Sequence, residues 1–475
     1  MKIKISKFSW SAISRMLQQL IVVGTAITAL SACGPGLASL GPFTIGGTVT
    51  GLTGTVVLQN NGKDDLNLTA NGSFTFVTKS AKDATYLVTV LNQPSGQICT
   101  VSGGGGAATD NVTAVSVDCV TQWTGTKQLG GVGTGTSGQS VAVDTNGNVY
   151  VVGETMDSLD GNSLLGTSDL FLTKYNTGGI KQFTQQFGVV GAATTGRSVA
   201  IDSSGNVYVA GYTSGQLGLD AQMGVEDAFV IKYNSKGERQ YIKQLGVVGQ
   251  VTQGLSVAVD ANLNVYVAGV TTGGLDGGAP VGDTDSFVAK YDSNGVRDLL
   301  FTKQWGVAGA NTSASSVATD AGGNVYVAGY TTDGLDGNSK VGTSDLFITR
   351  FDSGGAKQYT QQLGVAGVGT YGNSVVVDAA GSVYLTGETS GMLYRDALTG
   401  SSDLFVAKFN GSLAILYLHQ LGVAAQPTGG QSIALDTIGN AYVAGYTQGG
   451  LDGNVLAAGP SYSFVTKYDS NGVKK

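Results

Sequence analysis

The chain has one histidine, three cysteines, six prolines and only 26 lysines and arginines in 475 residues, and each shortage removes a class of function. A single imidazole, His419, gives Ser-His or Cys-His nucleophilic chemistry no convincing partner set. Charged residues make up 12% against 75 glycines, too few for helical surfaces, which favours turn-rich β structure. A net charge of −7, with no Lys/Arg run outside the N-terminus, argues against nucleic acid and against anionic membrane surfaces as partners. The apolar run Leu20–Leu30 is too short to span a bilayer comfortably.

What the chain has in abundance is itself. A phrase of the type Ser-Val-Ala-Val-Asp ends at Asp144, Asp202, Asp260, Asp320, Asp378 and Asp436, in steps of 58, 58, 60, 58 and 58 residues. Self-similarity at that period indicates a solenoid, an array or a propeller. Each copy contains four short runs rich in Val, Tyr, Phe and Ile, bounded by Gly, Asn, Asp or Ser. In the second copy these are Ser198–Asp202 (A), Asn206–Tyr212 (B), Ala228–Tyr233 (C) and Arg239–Leu245 (D). Four strands in such a unit make a propeller blade, whereas a parallel β-helix has a shorter repeat without two hairpins. The first recognisable run, Thr126–Leu129, is of D type and the last, Ser463–Tyr468, of C type. The expectation is therefore an all-β, six-bladed β-propeller over 121–475, with the N-terminal D strand completing the last blade and removing its exposed edge.

Residues 43–120 have another texture. Thr44–Thr50, Thr55–Gln59, Ser73–Thr78, Thr85–Leu91 and Thr113–Cys119 alternate apolar and polar residues between Gly- and Asn-rich turns, which predicts a small β-sandwich. Cys99 and Cys119 lie within it, and in an exported chain they are expected to form a disulfide; two lone thiols without nearby His or further Cys do not make a zinc site.

The N-terminus resembles a bacterial lipoprotein signal. Lys2, Lys4, Lys7 and Arg15 precede the apolar run, and Leu30-Ser-Ala-Cys33 follows it. The resemblance implies removal of 1–32, diacylglycerol on Cys33, a lipidated Gly/Pro tether over 33–42 and anchoring to a membrane of the cell envelope through lipid. Gly34 after the cysteine is similar to lipoproteins sent to the outer membrane, with surface exposure as one outcome. The sandwich resembles immunoglobulin-like or prealbumin-like surface modules, which implies a spacer. The repeats resemble the bacterial β-propeller repeat called the seven-bladed propeller repeat, on Lys243-Gln-Leu-Gly246, Ser256-Val-Ala-Val-Asp260, Asn264-Val-Tyr-Val-Ala-Gly269 and Asp285-Ser-Phe-Val-Ala-Lys-Tyr291. This chain departs from the class name in copy number, and the resemblance implies a fold and an envelope setting but no reaction.

Few residues are candidates for chemistry. The Asp ending each A run sits in Asp-x-x-Gly-Asn at Asp144–Asn148, which an Asx turn explains without a ligand. Ligand or calcium loops are sought instead between B and C, where Leu-Asp-Gly places Asp160, Asp276, Asp336 and Asp452, and where Asp169, Asp285 and Asp345 precede C. Two carboxylates per loop with backbone carbonyls could hold calcium, against the alternative of Asx turns ordering a long loop. Gly133–Gly138 and Gly367–Gly372 match a dinucleotide fingerprint, but a strand follows each where a helix is required. His419 stands in a column of Lys and Gln and reads as drift. Glu154 and Glu388 share a column two blades apart, too far for paired acid-base work. The Gln at 128, 186, 244, 304, 362 and 420 points to a blade-to-blade or loop hydrogen bond, and the Phe at 171, 229, 287, 347, 405 and 464 to packing between sheets.

No catalytic residue and no cofactor other than that calcium is expected. The leading expectation is noncatalytic binding or scaffolding by a monomer, with a protein or glycan as ligand. An enzyme acting on polysaccharide or peptidoglycan, and a passive surface spacer, are the alternatives.

Overall fold

The computed structural model describes residues 41–130, 135–454 and 461–475. Cys33, the signal region and the tether up to residue 40 lie outside them. Among the described residues no helix is long and apolar enough to cross a membrane. The chain divides into two units, Met1–Cys119 and Val120–Lys475.

In the first unit, period-two alternation of apolar and polar residues yields eight strands: β1 (Ile45–Thr50), β2 (Val56–Asn60), β3 (Asp64–Leu68), β4 (Gly72–Thr75), β5 (Thr85–Asn92), β6 (Gln97–Ser102), β7 (Gly105–Ala107) and β8 (Val112–Thr121). They form two four-stranded sheets in the orders β4-β1-β8-β6 and β3-β2-β5-β7. Ile45, Val49, Val56, Leu58, Phe74, Val115 and Val117 belong to one buried core. β1 runs parallel to β8, so closely that a Cβ on Gly47 would lie 1.7 Å from the Val115 carbonyl oxygen. A disulfide joins Cys99 on β6 to Cys119 on β8.

The second unit is six successive antiparallel sheets, one per repeat. In the second blade A is Thr194–Ile201, B is Val207–Thr213, C is Asp227–Tyr233 and D is Arg239–Leu245. The first blade has the same order at Thr136–Val143, Val149–Thr155, Asp169–Tyr175 and Lys181–Phe187. B and C are buried on both faces, which is why they read as nearly continuous apolar runs. Neighbouring blades meet along their A strands: Ser198 Oγ accepts the Val257 N–H at 3.1 Å, and the same bond recurs from Val199 to Ser140, Val317 to Ser256, Val375 to Ser316 and Ile433 to Ser374. The A strands thus form the inner wall. The Phe column packs between sheets, as in the shared cluster of Tyr150, Leu172, Val209 and Phe229.

The expected closing strand does not form. The sixth blade has three strands, Thr428–Leu435, Ala441–Thr447 and Tyr462–Tyr468. Val465 on its C strand is 72% exposed, whereas Val230 at the same place in the second blade is fully buried. Val141 on the first A strand is 63% exposed against 7% for Val199, so the first and last blades are not joined as the others are. The reason lies in Gly125. D strands seat an aromatic ring on the turn glycine of the next blade, as Phe183 does at Gly237 and Tyr241 at Gly295. The N-terminal copy has Gly125 in that column, at φ +63°, and Trp123 supplies the ring two residues early, against Gly179 and Tyr175. The Trp123 indole N–H donates to the Gly125 carbonyl and the Lys127 ammonium to the Thr124 carbonyl. A local turn stands where an extended strand is needed.

Two outcomes follow. Replacing Cys99 and Cys119 together by serine should lower the stability of the first unit by about 3 kcal/mol in urea unfolding, the loop-closure value for a loop of this size. Tyr233 is 2% exposed and its hydroxyl has no hydrogen-bond partner, while Phe351 and Phe409 occupy its column. Tyr233→Phe should therefore be neutral or stabilising by up to about 1 kcal/mol, and a loss of stability would show that the hydroxyl is satisfied.

Candidate functional site

The A-to-B hairpin gives each blade one carboxylate, with four donors in five blades and three in the fifth. Asp202 Oδ1 accepts the backbone N–H groups of Ser204 and Asn206, and Oδ2 accepts the Asn206 side-chain amide at 2.8 Å and the Tyr208 hydroxyl at 3.0 Å. The tyrosine face is covered by a cation from the C strand, Lys232 over Tyr208 at 5.4 Å, and that ammonium continues to the Ser293 carbonyl of the next blade. The pattern repeats at Asp144, Asp260, Asp320 and Asp436; at Asp378 a serine replaces the asparagine and the amide bond is lost. Burial alone would raise the carboxyls of Asp144, Asp202 and Asp320, but the asparagine, backbone and tyrosine donors hold them below the ordinary value. Burial, then the neighbouring carboxylate, pushes Tyr150 and Tyr326 up to about 12.

The B-to-C loop carboxylates are equally engaged. Asp169, Asp285 and Asp345 are fully buried. Asp169 accepts the N–H groups of Leu165 and Gly166 and the Gln186 amide. Asp285 and Asp345 do the same with Gln304 and Gln362. The Gln column thus makes a loop bond within one blade, since Gln186 Oε1 also accepts the Leu159 N–H. Gly188 follows because any Cβ there would meet Asp169 Oδ1 at 1.8 Å. Asp160, Asp276, Asp336 and Asp452 all take positive φ and pair with Lys181, Arg297, Lys357 and Lys474 of their own blades. Among the described residues no three His, Cys, Asp or Glu side chains come together as a metal-binding group.

A different set of side chains gathers where the D-to-A and B-to-C loops meet. These loops lie side by side: the Thr194 N–H donates to the Ser168 carbonyl, and the bridge recurs in later blades. Just inside, every A strand carries a β-bulge, between Gly196 and Ser198 in the second blade. A bulge leaves one residue unpaired and re-aims it. The bulged residues are Gln139, Arg197, Leu255, Ser315, Asn373 and Gln431, and they differ around the series while Ser-Val or Ser-Ile beside them repeats. Arg197 donates to Gln139 Oε1 at 3.1 Å and Asn373 to the Gly430 carbonyl at 2.8 Å, each reaching a neighbouring blade's bulge.

Beside this column stand the two glutamates, each tied to the next blade: Glu154 accepts from Thr195 Oγ1 at 2.7 Å and Glu388 from the Tyr446 hydroxyl at 2.8 Å. They bond different partners and form no acid-base pair with each other. Burial, then Glu388, pushes Tyr446 up to about 12. Tyr330 and Tyr371 meet edge to face at 5.1 Å in the equivalent place. The bulge column escapes a reading based on what repeats, because its signal is one variable letter inside a constant phrase.

The pH dependence of stability follows from these groups. Lowered carboxyls stabilise the fold above about pH 4 and that contribution is lost as pH falls from there through their folded values. Raised tyrosines stabilise it below about pH 10 and the contribution is lost as pH climbs toward 12. Thermal midpoints should be level between about pH 5 and 9 and fall on both sides; a midpoint that rises above pH 10 would contradict the assignment.

The chain is 27% identical over 309 residues to the regulatory protein FlaEY of Caulobacter vibrioides, a match covering 55% of this chain and 31% of that relative. Among solved structures, a protein of unknown function from Dyadobacter fermentans is 15% identical over 70% of this chain and 94% of its own, with a TM-score of 0.40. An ulvan lyase is 13% identical over 70% and 81%, with a TM-score of 0.41. The family model described as Beta-propeller repeat matches six times, at 124–158, 182–218, 240–276, 300–336, 358–394 and 416–452. With a match in every copy and each copy folded as one blade-like sheet, the chain belongs to the beta-propeller repeat family.

Proposed function

We propose that this protein is a lipid-anchored component of the bacterial cell envelope whose repeat unit is a noncatalytic binding or scaffolding module for a protein or glycan. The observation that carries the binding role is the contrast between columns. The aspartates of the hairpins and loops are saturated by internal donors, whereas the bulged residues of the inner wall run from Gln139 through Arg197, Leu255, Ser315 and Asn373 to Gln431. A constant frame holding a variable series of mostly polar groups, with one leucine among them, is the arrangement of a recognition surface, where a few placed polar groups fix orientation. The sandwich serves as the spacer, and Cys33 carries the lipid toward the outer membrane.

Metabolic labelling with palmitate tests the anchor. The intact chain should take the label and Cys33→Ser should not; equal labelling of both would end the lipoprotein reading. For the binding role, the Cys33→Ser chain should be screened against glycans and envelope proteins with and without calcium. Arg197→Ala and Asn373→Ala together should weaken the ligand found by about tenfold or more, equivalent to the loss of one good polar contact, with stability lowered by no more than the two lost inter-blade hydrogen bonds, about 1 kcal/mol each. Unchanged affinity would move the site elsewhere.

A further inference from the structure

One groove between blades departs from the other four. Between the fifth D strand (Ile415–Leu421) and the end of the sixth blade lies a cavity of about 280 Å3, lined by Asp396, His419, Leu421, Tyr468, Gly472 and Lys474. Tyr394, Arg395 and His419 depart from the repeat in it or beside it, while Asp396 shares its column with Asp220 of the second blade, which likewise accepts the Gln244 N–H. Where other B-to-C loops read Asp-Gly-Asn, at 160–162, 336–338 and 452–454, this one reads Tyr394-Arg395-Asp396, and the Lys or Gln of the D column is His419.

The departures are coupled physically. Asp396 Oδ2 lies 3.2 Å from His419 Nδ1 and accepts the Gln420 N–H at 3.0 Å, so one carboxylate fixes both the strand and the imidazole. The imidazole stacks on Tyr417 at 5.6 Å and 21° and on Tyr468 at 6.5 Å and 2°. Tyr394 sits at φ +65°, where four of the other copies place an aspartate with φ of 51–55°. A bulky side chain takes that conformation at a cost, and such strain concentrates where a side chain must be presented. Its ring is 48% exposed, with the Arg395 guanidinium 5.0 Å from its centroid.

The chemistry of the lining selects the ligand. Of the lining residues Asp396 and Lys474 carry opposite formal charges, and Lys474 is already paired with Asp452, so the groove has no net formal charge to attract a phosphate or a metal ion. It offers a carboxylate acceptor, an imidazole nitrogen and an ammonium beside Leu421 and the edge of the buried Tyr468, with the exposed Tyr394 two residues along the loop. Directional hydrogen bonds beside aromatic faces suit a neutral polyhydroxylated ring, whose hydroxyls bond the polar groups while its C–H face covers the apolar ones. We propose that this outer groove is a binding site for a neutral saccharide unit. The inference rests on the binding-module reading but uses a surface separate from the inner-wall bulges.

The test is titration calorimetry of the full chain carrying Cys33→Ser with cellobiose, maltotriose and diacetylchitobiose. At least one should bind with a Kd of about 1 mM or tighter. Asp396→Asn and His419→Gln each restore the residue found in other copies, Asn162 and Asn338 or Gln185 and Gln361, so the fold should tolerate them. Each should weaken the saccharide by about tenfold or more, at an unchanged thermal midpoint. Gln361→Ala, the same column one blade earlier, should leave the affinity as it was. No heat from any of the three sugars at about 10 mM, or an affinity indifferent to both reversions, overturns the proposal. A sugar lost on Arg197→Ala but kept by both reversions belongs to the inner wall, which overturns the groove and leaves the binding-module reading standing.

Discussion

The hydrogen bond between the hairpin aspartate and the B-strand tyrosine is the interaction from which the repeat unit is assembled. Tyr208 is fully buried, and leaving its phenol unpaired there would cost free energy. Asp202 supplies it, and in doing so can accept the two backbone N–H groups that close the turn. The tyrosine face then receives Lys232, whose ammonium reaches the turn of the following blade. One contact therefore ties hairpin to strand and blade to blade. Its recurrence in six copies explains why the Asp and Tyr of this hairpin are repeated in every blade.

Much of the architecture was legible in the sequence, and the failures have physical causes. The four runs per copy fall on the A, B, C and D strands because buried B and C strands must be continuous in apolar residues. In the sandwich, β3 was hidden because Asn-Gly-Lys-Asp-Asp reads as a turn, although Asp64 and Asp65 open an edge strand of the sheet. The closing strand at 126–129 matched the D phrase in four letters. A phrase does not report the ring two residues earlier, and Gly125 with Trp123 changed the backbone course there.

The candidate site was legible in part. Asp160 and its equivalents lie in the B-to-C loops, whereas Asp169, Asp285 and Asp345 open the C strands instead of preceding them, and a sequence does not show that Lys181 or a pair of backbone amides already occupies their oxygens. His419 read as drift in a tolerant column; its meaning depends on Asp396, 23 residues away, which sequence spacing alone could not pair with it. Variable positions carry the information that the constant ones lack, and only the fold shows which variable positions are neighbours.

The bulge in each A strand has a consequence for how such a chain can change. A residue excluded from the ladder contributes nothing to register, so it can be exchanged without disturbing the sheet that carries it. Six excluded residues, one per blade, can vary outside the ladder, with Arg197 coupled to Gln139 and Asn373 to the Gly430 carbonyl across neighbouring blades. A new specificity in such a protein can be reached one blade at a time, each step leaving a folded molecule behind it.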